Sequence, residues 1–489
     1  MPQKSLTMSD LLQDKAYVNG AWIEADSGAT IAVNNPADDS ILGTVPDLGG
    51  VETGRAIAAA EAALPAWRGM AAKERSAILK RWYDLITTNA EPLAQILTCE
   101  QGKPLAEARG EIAYGASFVE WFSEEAKRVY GDVIPAPSAG GRIIVQKQPV
   151  GVAGLIIPWN FPSALFHRKA AAALAAGCTV VLKPSEFTPL SALALAKLAE
   201  MAGLPAGTLN VVTGMPVAIG KALMDSPVVR KVSFTGSTRI GKLLIGQSAG
   251  TVKKLSLELG GNAPLIVFDD ADIPTAVAAC MNSKFRNAGQ TCVCANRIFV
   301  QDGIYDAFGD ALAEAVSRLK VGAGDEDGTT IGPLINMAAV EKVERHITDA
   351  LNLGGQLVAG GGRHERGGTY FTPTIITGAT QEMELAKDET FGPVAPLFRF
   401  AGETEAVELA NATQYGLAAY IFTQNLDRMW RVCDAIETGM IGVNEGLISN
   451  EVAPFGGIKE SGLGREGSRY GIEEYLEQKY ILISPNKAA

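Results

Sequence analysis

Four segments put reactive or polar side chains where packing alone would favour something else. Asn287-Ala288-Gly289-Gln290-Thr291-Cys292-Val293-Cys294 offers a thiol in a glycine-bearing turn, and it is read together with Glu258-Leu259-Gly260-Gly261-Asn262. A free cysteine ionises with a pKa of about 8.5, so a nucleophilic one needs a helix dipole, a cation or a base beside it. Arg286, just before the thiol segment, is a candidate cation, and the plain alternative for Cys292 is a small buried packing residue. Pro158-Trp159-Asn160-Phe161-Pro162 follows the strand-like run GVAGLII, and ligands gather beyond the carboxyl ends of parallel strands. There Asn160 would offer an amide N–H to a developing oxyanion, or serve as an ordinary turn residue. Lys183-Pro184-Ser185-Glu186 also follows a strand-like run, CTVVL. A lysine there can bond ribose hydroxyls, and a carboxylate accepts from the 2′- and 3′-hydroxyls while repelling a 2′-phosphate; a solvated loop is the bland reading. Thr235-Gly236-Ser237-Thr238 lies between KVSF and the helix-like RIGKLLIG. Backbone N–H groups and hydroxyls at a helix start hold phosphate, and Ser237 or Thr238 serves equally as an N-cap.

Other chemistries find no support. The three histidines, His167, His346 and His364, lie far apart without metal-ligand spacing, and no G-x-S-x-G elbow accompanies them. No metal is expected, and any nucleophile must be activated by something other than the usual histidine. A literal G-x-G-x-x-G occurs at Gly462, Gly464 and Gly467, but too little chain remains after it for a βαβ unit, so it reads as a turn opening the last helix. With 43 Lys+Arg against 54 Asp+Glu the net charge is −11, which argues against nucleic-acid or anionic-membrane partners. The six cysteines are too few and too unevenly spaced for a disulfide framework. Met1 to Gly20 carries Lys4, Asp10, Asp14 and Lys15 and no apolar run, unlike a signal peptide. The apolar stretch Ala170 to Leu182 falls short of the roughly 20 residues of a membrane span. A cytoplasmic protein in a reducing compartment is expected.

The elements that must position these segments follow two patterns. Val51 to about Gly131 has helical periodicity, and Gly131 to Pro149 reads as a hairpin around Pro-Ala-Pro-Ser-Ala-Gly-Gly. From Gly151, strands (GVAGLII, CTVVL, TLNVV, KVSF) alternate with helices, and a second alternating series runs from about Ala263 to Asn444. This rhythm predicts two α/β domains, each with a parallel sheet covered by helices, and at 489 residues the length accommodates them plus a small appendage.

Taken together and in this order, PWNFP, KPSE, FTGST, ELGGN, GQTC, ETFGPV (Glu389 to Val394) and PFGGIKESGLGREG resemble the aldehyde dehydrogenase superfamily over nearly the whole chain. The resemblance implies an NAD(P)-binding domain over 1–130 and 150–258, a catalytic domain over 259–462, and a β oligomerisation segment over 131–149 and 463–489 of a homo-oligomer, dimer or tetramer. It implies that Cys292 adds to an aldehyde carbon while the Asn160 side chain and the Cys292 N–H hold the oxyanion. Hydride then passes to a nicotinamide, leaving a thioester that water activated by Glu258 hydrolyses. Lys183, Pro184, Ser185 and Glu186 would hold the adenosine ribose, Gly236 and Ser237 the pyrophosphate, and Glu389 and Phe391 the nicotinamide ribose, with Trp159 and Leu259 as further cofactor contacts. NAD or NADP is expected, NAD being favoured by Glu186. Glu258 favours hydrolysis over transfer to coenzyme A, and Asn262 departs from the lysine of many relatives without altering this mechanism.

Within that superfamily, FRNAGQTCVCANR and GLGREGSRYGIEEYLEQKY resemble the succinate-semialdehyde branch, which implies that Arg168, Arg286 and Ser449 hold the substrate carboxylate. Either arginine could instead sit in a structural ion pair. Glutarate semialdehyde is the alternative substrate, because one methylene is worth only about 1–3 kcal/mol in specificity. The branch also implies a redox switch in which Cys292 and Cys294 join, with strain and loop movement, or else Cys294 is a small buried thiol. Rival classes are a cofactor-independent thiol esterase using Cys292 and Glu258, and a non-catalytic protein of the same fold. The intact set Asn160, Glu258, Cys292 and Glu389 argues against the latter.

Overall fold

The computed structural model describes residues 6–484, so the outermost residues of the 1–130 and 463–489 expectations, and the start of the Met1 to Gly20 segment, lie outside the described residues. Two large sheets organise the chain. In the first, the strands run in the order Gly462–Leu463, Lys254–Glu258, Val229–Thr235, Val152–Ile156, Thr179–Lys183, Leu209–Val211, Ala16–Val18, Ala21–Ile23. The five inner strands are parallel and the edge pairings are antiparallel. From Val152–Ile156 the chain steps outward to Thr179–Lys183 and Leu209–Val211, then returns to the other side of its starting strand with Val229–Thr235. Strand order therefore reverses beside Val152–Ile156, and a crevice opens at the carboxyl ends of the strands there.

The second sheet runs Gln356–Ala359, Thr374–Thr377, Val394–Phe400, Ala295–Gln301, Ala263–Val267, Ala418–Phe422, Met440–Val443. It is parallel except at its Gln356–Ala359 edge. The α/β architecture with two parallel sheets is thus the one the alternating pattern predicts. Apolar β-branched and aromatic residues fill these strands because both faces are covered by helices, and the strand Ala263–Val267 is buried throughout.

The helix Pro162–Ala176 connects the strands Val152–Ile156 and Thr179–Lys183. Proline at its first turn, an alanine-rich body and Gly177 in the left-handed conformation (φ 96°) set its limits. It is buried on every side, although it carries His167, Arg168 and Lys169. Buried charges require partners, and Arg168 and Lys169 share one in Glu466, far along the chain.

The predicted hairpin is present: Asp132–Pro135 pairs antiparallel with Arg142–Pro149, and Leu476–Ile483 adds on the other side. The stretch just before that last strand behaves differently from the 463–489 expectation. Gly462–Leu463 pairs with Leu257 and Glu258 at the edge of the first sheet, and Ile472 and Tyr475 enter the core beneath it. Gly467 opens the short helix Ser468–Glu473, as the G-x-G-x-x-G context predicts.

Candidate active site

The carboxyl ends of the first sheet face the amino ends of the second. Ile156 leads into Pro158-Trp159-Asn160, Thr235 into Gly236-Ser237, and Glu258 ends its own strand, all three on adjacent strands. Opposite, Cys292 precedes the strand Ala295–Gln301, and Glu389 and Phe391 precede Val394–Phe400. Gly261 allows the two sides to meet, since a Cβ there would lie 2.6 Å from the Cys292 carbonyl oxygen. Between them is a cavity of about 400 Å³, walled by Cys292, Glu258, Asn160, Trp159, Gly236, Ser237, Leu259, Glu389, Phe391, Arg168, Arg286 and Ser449. The structure thus brings together the predicted nucleophile, base, oxyanion donor and carboxylate clamp with most of the cofactor residues. Lys183, Pro184, Ser185 and Glu186 lie outside its walls, as does Cys294.

The Cys292 thiol is pushed up to about 12 by burial, which Arg168 opposes without overcoming. Its backbone N–H has no acceptor among the described residues. Asn160 donates one amide hydrogen to the Gln290 carbonyl at 3.1 Å, which leaves its second hydrogen for a ligand. Both Glu258 carboxyl oxygens are buried without a hydrogen-bond partner. Burial, with the charge of Glu466 nearby, raises Glu258 well above the ordinary carboxyl range, so it is a strong base once ionised. Glu466 goes the other way: burial would raise it, but Lys169 and Arg168 outweigh that and hold it ionised.

The two arginines differ. Arg168 Nε stands 2.5 Å from Glu466 Oε2, and its guanidinium lies 4.0 Å over the Phe455 ring, so its charge is shared between an internal ion pair and the cavity. Arg286 forms no ion pair within 4.0 Å among the described residues, and its Nε is buried without a partner. Of the two arginines expected with Ser449 in the clamp, Arg168 is thus ion-paired within the chain, whereas Arg286 has no carboxylate partner among the described residues and its guanidinium lies 5.3 Å from the Phe161 ring. Tyr114, beside Arg168 and Ser449, adds a buried hydroxyl without a partner.

On the cofactor side, Glu389 accepts from the Gly261 N–H at 3.4 Å and is raised to about 7, burial outweighing the nearby Lys342. Trp159 and Phe391 meet edge-to-face at 5.6 Å. Ser237 caps the helix Thr238–Ser248 by accepting from the Ile240 N–H at 3.4 Å, as the N-cap reading of this turn expects, and with Gly236 it also walls the cavity. Lys183 donates to Glu186 Oε2 at 2.8 Å, so each already has a partner. Cys294 is fully buried, with its Sγ 3.2 Å from Lys284 Nζ, and both it and Cys292 are free thiols. Asn262 donates to the Ala386 carbonyl at 2.9 Å.

Sequence reasoning missed Lys169, Glu466, Tyr114 and Lys342. Charged residues inside the alanine-rich run PSALFHRKAAAALAA were the available signal, because a helix buried all round must find counter-ions for them. The buried histidines act as packing groups: His167 is driven down to about 3 and His346 to about 4, both by burial.

This fold and this site define an oxidoreductase of the aldehyde dehydrogenase family, and the chain belongs to that family, whose profile matches residues 22–481. It is 59% identical over 473 residues to the glutarate-semialdehyde dehydrogenase of Pseudomonas aeruginosa, covering 97% of this chain and 98% of that protein. It is 58% identical over 478 residues to the NADP(+) succinate-semialdehyde dehydrogenase of Escherichia coli K12, covering 98% and 99%. Among solved structures, the succinate-semialdehyde dehydrogenase from Burkholderia pseudomallei matches with a TM-score of 0.97 at 60% identity, over 97% of this chain and 99% of that one.

Proposed function

We propose that the protein oxidises succinate semialdehyde to succinate with NAD(P)⁺ and water. The observation that carries this reading is the unpaired Arg286, placed with Arg168 and Ser449 in the cavity that holds Cys292, Glu258 and Asn160. A guanidinium that stacks on Phe161 and has no protein carboxylate suits a ligand carboxylate in a two-pronged bond. Glutarate semialdehyde is the second reading, supported by the 59% identical relative of that name.

Cys292 attacks the aldehyde carbon, its thiol proton passing to solvent as the C–S bond forms and the carbonyl oxygen becomes the oxyanion. Asn160 and the Cys292 N–H receive the oxyanion. Glu258 takes a proton from the water that cleaves the resulting thioester and releases the acid. Ser237, Glu389, Trp159 and Phe391 would hold the cofactor, and the buried Glu389 carboxyl beside Lys342 suits a sugar diol. Bound there, the cofactor supplies the hydride acceptor and a positive charge in the cavity. Lys183 and Glu186 would take the adenosine ribose, with a moderate preference for NAD because Lys183 already offsets the Glu186 charge.

The test is a steady-state panel of succinate semialdehyde, glutarate semialdehyde and neutral aldehydes of equal length, each with NAD and NADP. Higher kcat/KM for the acidic substrates supports the reading; equal values for neutral ones defeat it. Reduced cofactor formed one-for-one with aldehyde consumed separates it from a thiol esterase. Subunit contact through the hairpin sheet is supported by Val133 and Tyr480, 74% and 60% exposed, and is tested by the mass in solution. A Cys292–Cys294 disulfide would require Cys294 to leave Lys284, and reductant rescue after peroxide in wild type but not in Cys294→Ala would establish it.

A further inference from the structure

The backbone around Asn160 has no regular secondary structure, lying between the strand Val152–Ile156 and the helix Pro162–Ala176. Asn160 is nevertheless buried, so its carbonyl requires donors. It has two, Lys103 Nζ at 2.8 Å and Asn287 Nδ2 at 3.1 Å. Lys103 also stands 2.5 Å from Glu111 Oε2, and both side chains are 0% exposed. The other oxygen of Glu111 accepts from the Ser163 and Ala164 N–H groups at 2.9 and 3.2 Å, two of the unsatisfied donors at the start of the following helix. Lys103 lies 3.9 Å over the Phe161 ring between these two anchor points.

On the far side, Asn287 Nδ2 and Asn160 Nδ2 both donate to the Gln290 carbonyl, at 3.2 and 3.1 Å, two residues before Cys292. Asn287 and Ala288 both hold left-handed backbone (φ 52° and 55°), and the Asn287 N–H is fixed by Glu107 Oε2 at 2.8 Å. Strained backbone persists only where its surroundings over-determine it. A buried ion pair is a poor source of stability, since apolar residues of like volume often replace one without loss. The pair here is better explained by what it orients.

We propose that Lys103 and Glu111 are positioning residues whose buried ion pair fixes the Asn160 carbonyl and the start of the next helix, and so aims the Asn160 amide at the oxyanion on Cys292. This rests on the reading of Asn160 as the oxyanion donor. The experiment is single-turnover formation of reduced cofactor in the full-length enzyme, measured for Lys103→Met/Glu111→Leu, for Asn160→Ala and for the combination. The double variant should melt lower, because the Asn160 carbonyl and the Ser163 and Ala164 N–H groups lose partners, yet keep its cofactor affinity and lose about 10- to 100-fold in rate with aldehyde KM little changed. In the Asn160→Ala background the same pair of changes should alter the rate by no more than about twofold. Asn287→Ala, which removes the second donor to the Asn160 carbonyl and leaves the ion pair in place, should show the same non-additivity and serves if the double variant does not fold. A fall in melting temperature with an unchanged rate would make the pair merely structural, and full additivity with Asn160→Ala would also overturn the proposal. An unimpaired Asn160→Ala would instead remove the oxyanion reading beneath it.

Discussion

Within the cavity, Arg286 Nε, Tyr114 Oη and both Glu258 oxygens are buried with no hydrogen-bond partner among the described residues; outside its walls, Lys183 and Glu186 answer each other at 2.8 Å. A buried polar atom left unpaired costs about 1–3 kcal/mol, so a cluster of them is kept only where something outside the chain completes it. The self-satisfied Lys183–Glu186 pair carries no such cost. It adjusts affinity by its net field and leaves the reaction itself to others. The two groups therefore differ in kind: one leaves hydrogen bonds open, the other has closed its own.

The largest break in this contrast is Cys292→Ala, which should abolish aldehyde oxidation, read as loss of reduced cofactor in both single and multiple turnovers. Glu258→Gln should lower steady-state turnover by about 10²- to 10⁴-fold yet still give one burst of reduced cofactor before stalling at the thioester. Absence of that burst would move the role of Glu258 forward, to thiol activation.

Next come the two arginines. Arg286→Ala should reduce kcat/KM for the acidic semialdehyde by about 10- to 100-fold, with neutral aldehydes unaffected and stability unchanged. Arg168→Ala should show the same discrimination loss and in addition destabilise the fold by about 1–3 kcal/mol, because Glu466 loses one of its two buried partners and keeps Lys169. Equal stability of the two variants would erase the distinction between an ion-paired guanidinium and one without a carboxylate partner.

Smaller effects belong to the cofactor side. Glu389 is raised to about 7 by burial, so it is protonated below that pH and becomes an anionic acceptor above it. The cofactor KM should accordingly fall as pH rises through about 7, and Glu389→Gln should flatten that profile. Glu186→Gln should shift the NADP-to-NAD ratio of kcat/KM by only several-fold, since Lys183 already offsets the charge it removes.

Much of the site was legible because turn segments such as PWNFP and GQTC carry chemistry where loops ordinarily carry only punctuation. The strands GVAGLII, CTVVL, TLNVV and KVSF were equally plain, being short apolar runs between turn signals. The strand Lys254–Glu258, which ends in the cavity residue Glu258, was not. Its sequence KLSLE interleaves polar residues that are buried only because distant groups meet them. Ser256 donates to Glu474 at 2.8 Å, and Glu258 neighbours Glu466, more than two hundred residues further along. Periodicity reports which face of an element is apolar, and is silent about a polar face satisfied from the far end of the chain. The Lys103–Glu111 pair was hidden for the same reason, since its object, Asn160, is 57 residues away from Lys103.

The ion pair between Lys169 and Glu466 spans 297 positions of sequence. A ribosome adding roughly 5–20 residues per second needs about 15–60 s to travel that distance. Throughout that interval the helix carrying Arg168 and Lys169 has emerged while its counter-ion has yet to be made. The nascent first sheet must then keep those cations hydrated and its central helix incompletely docked. The buried pairing of Arg168, which walls the cavity, is therefore completed only after Glu466 has been made, and a chain stopped before that residue lacks it.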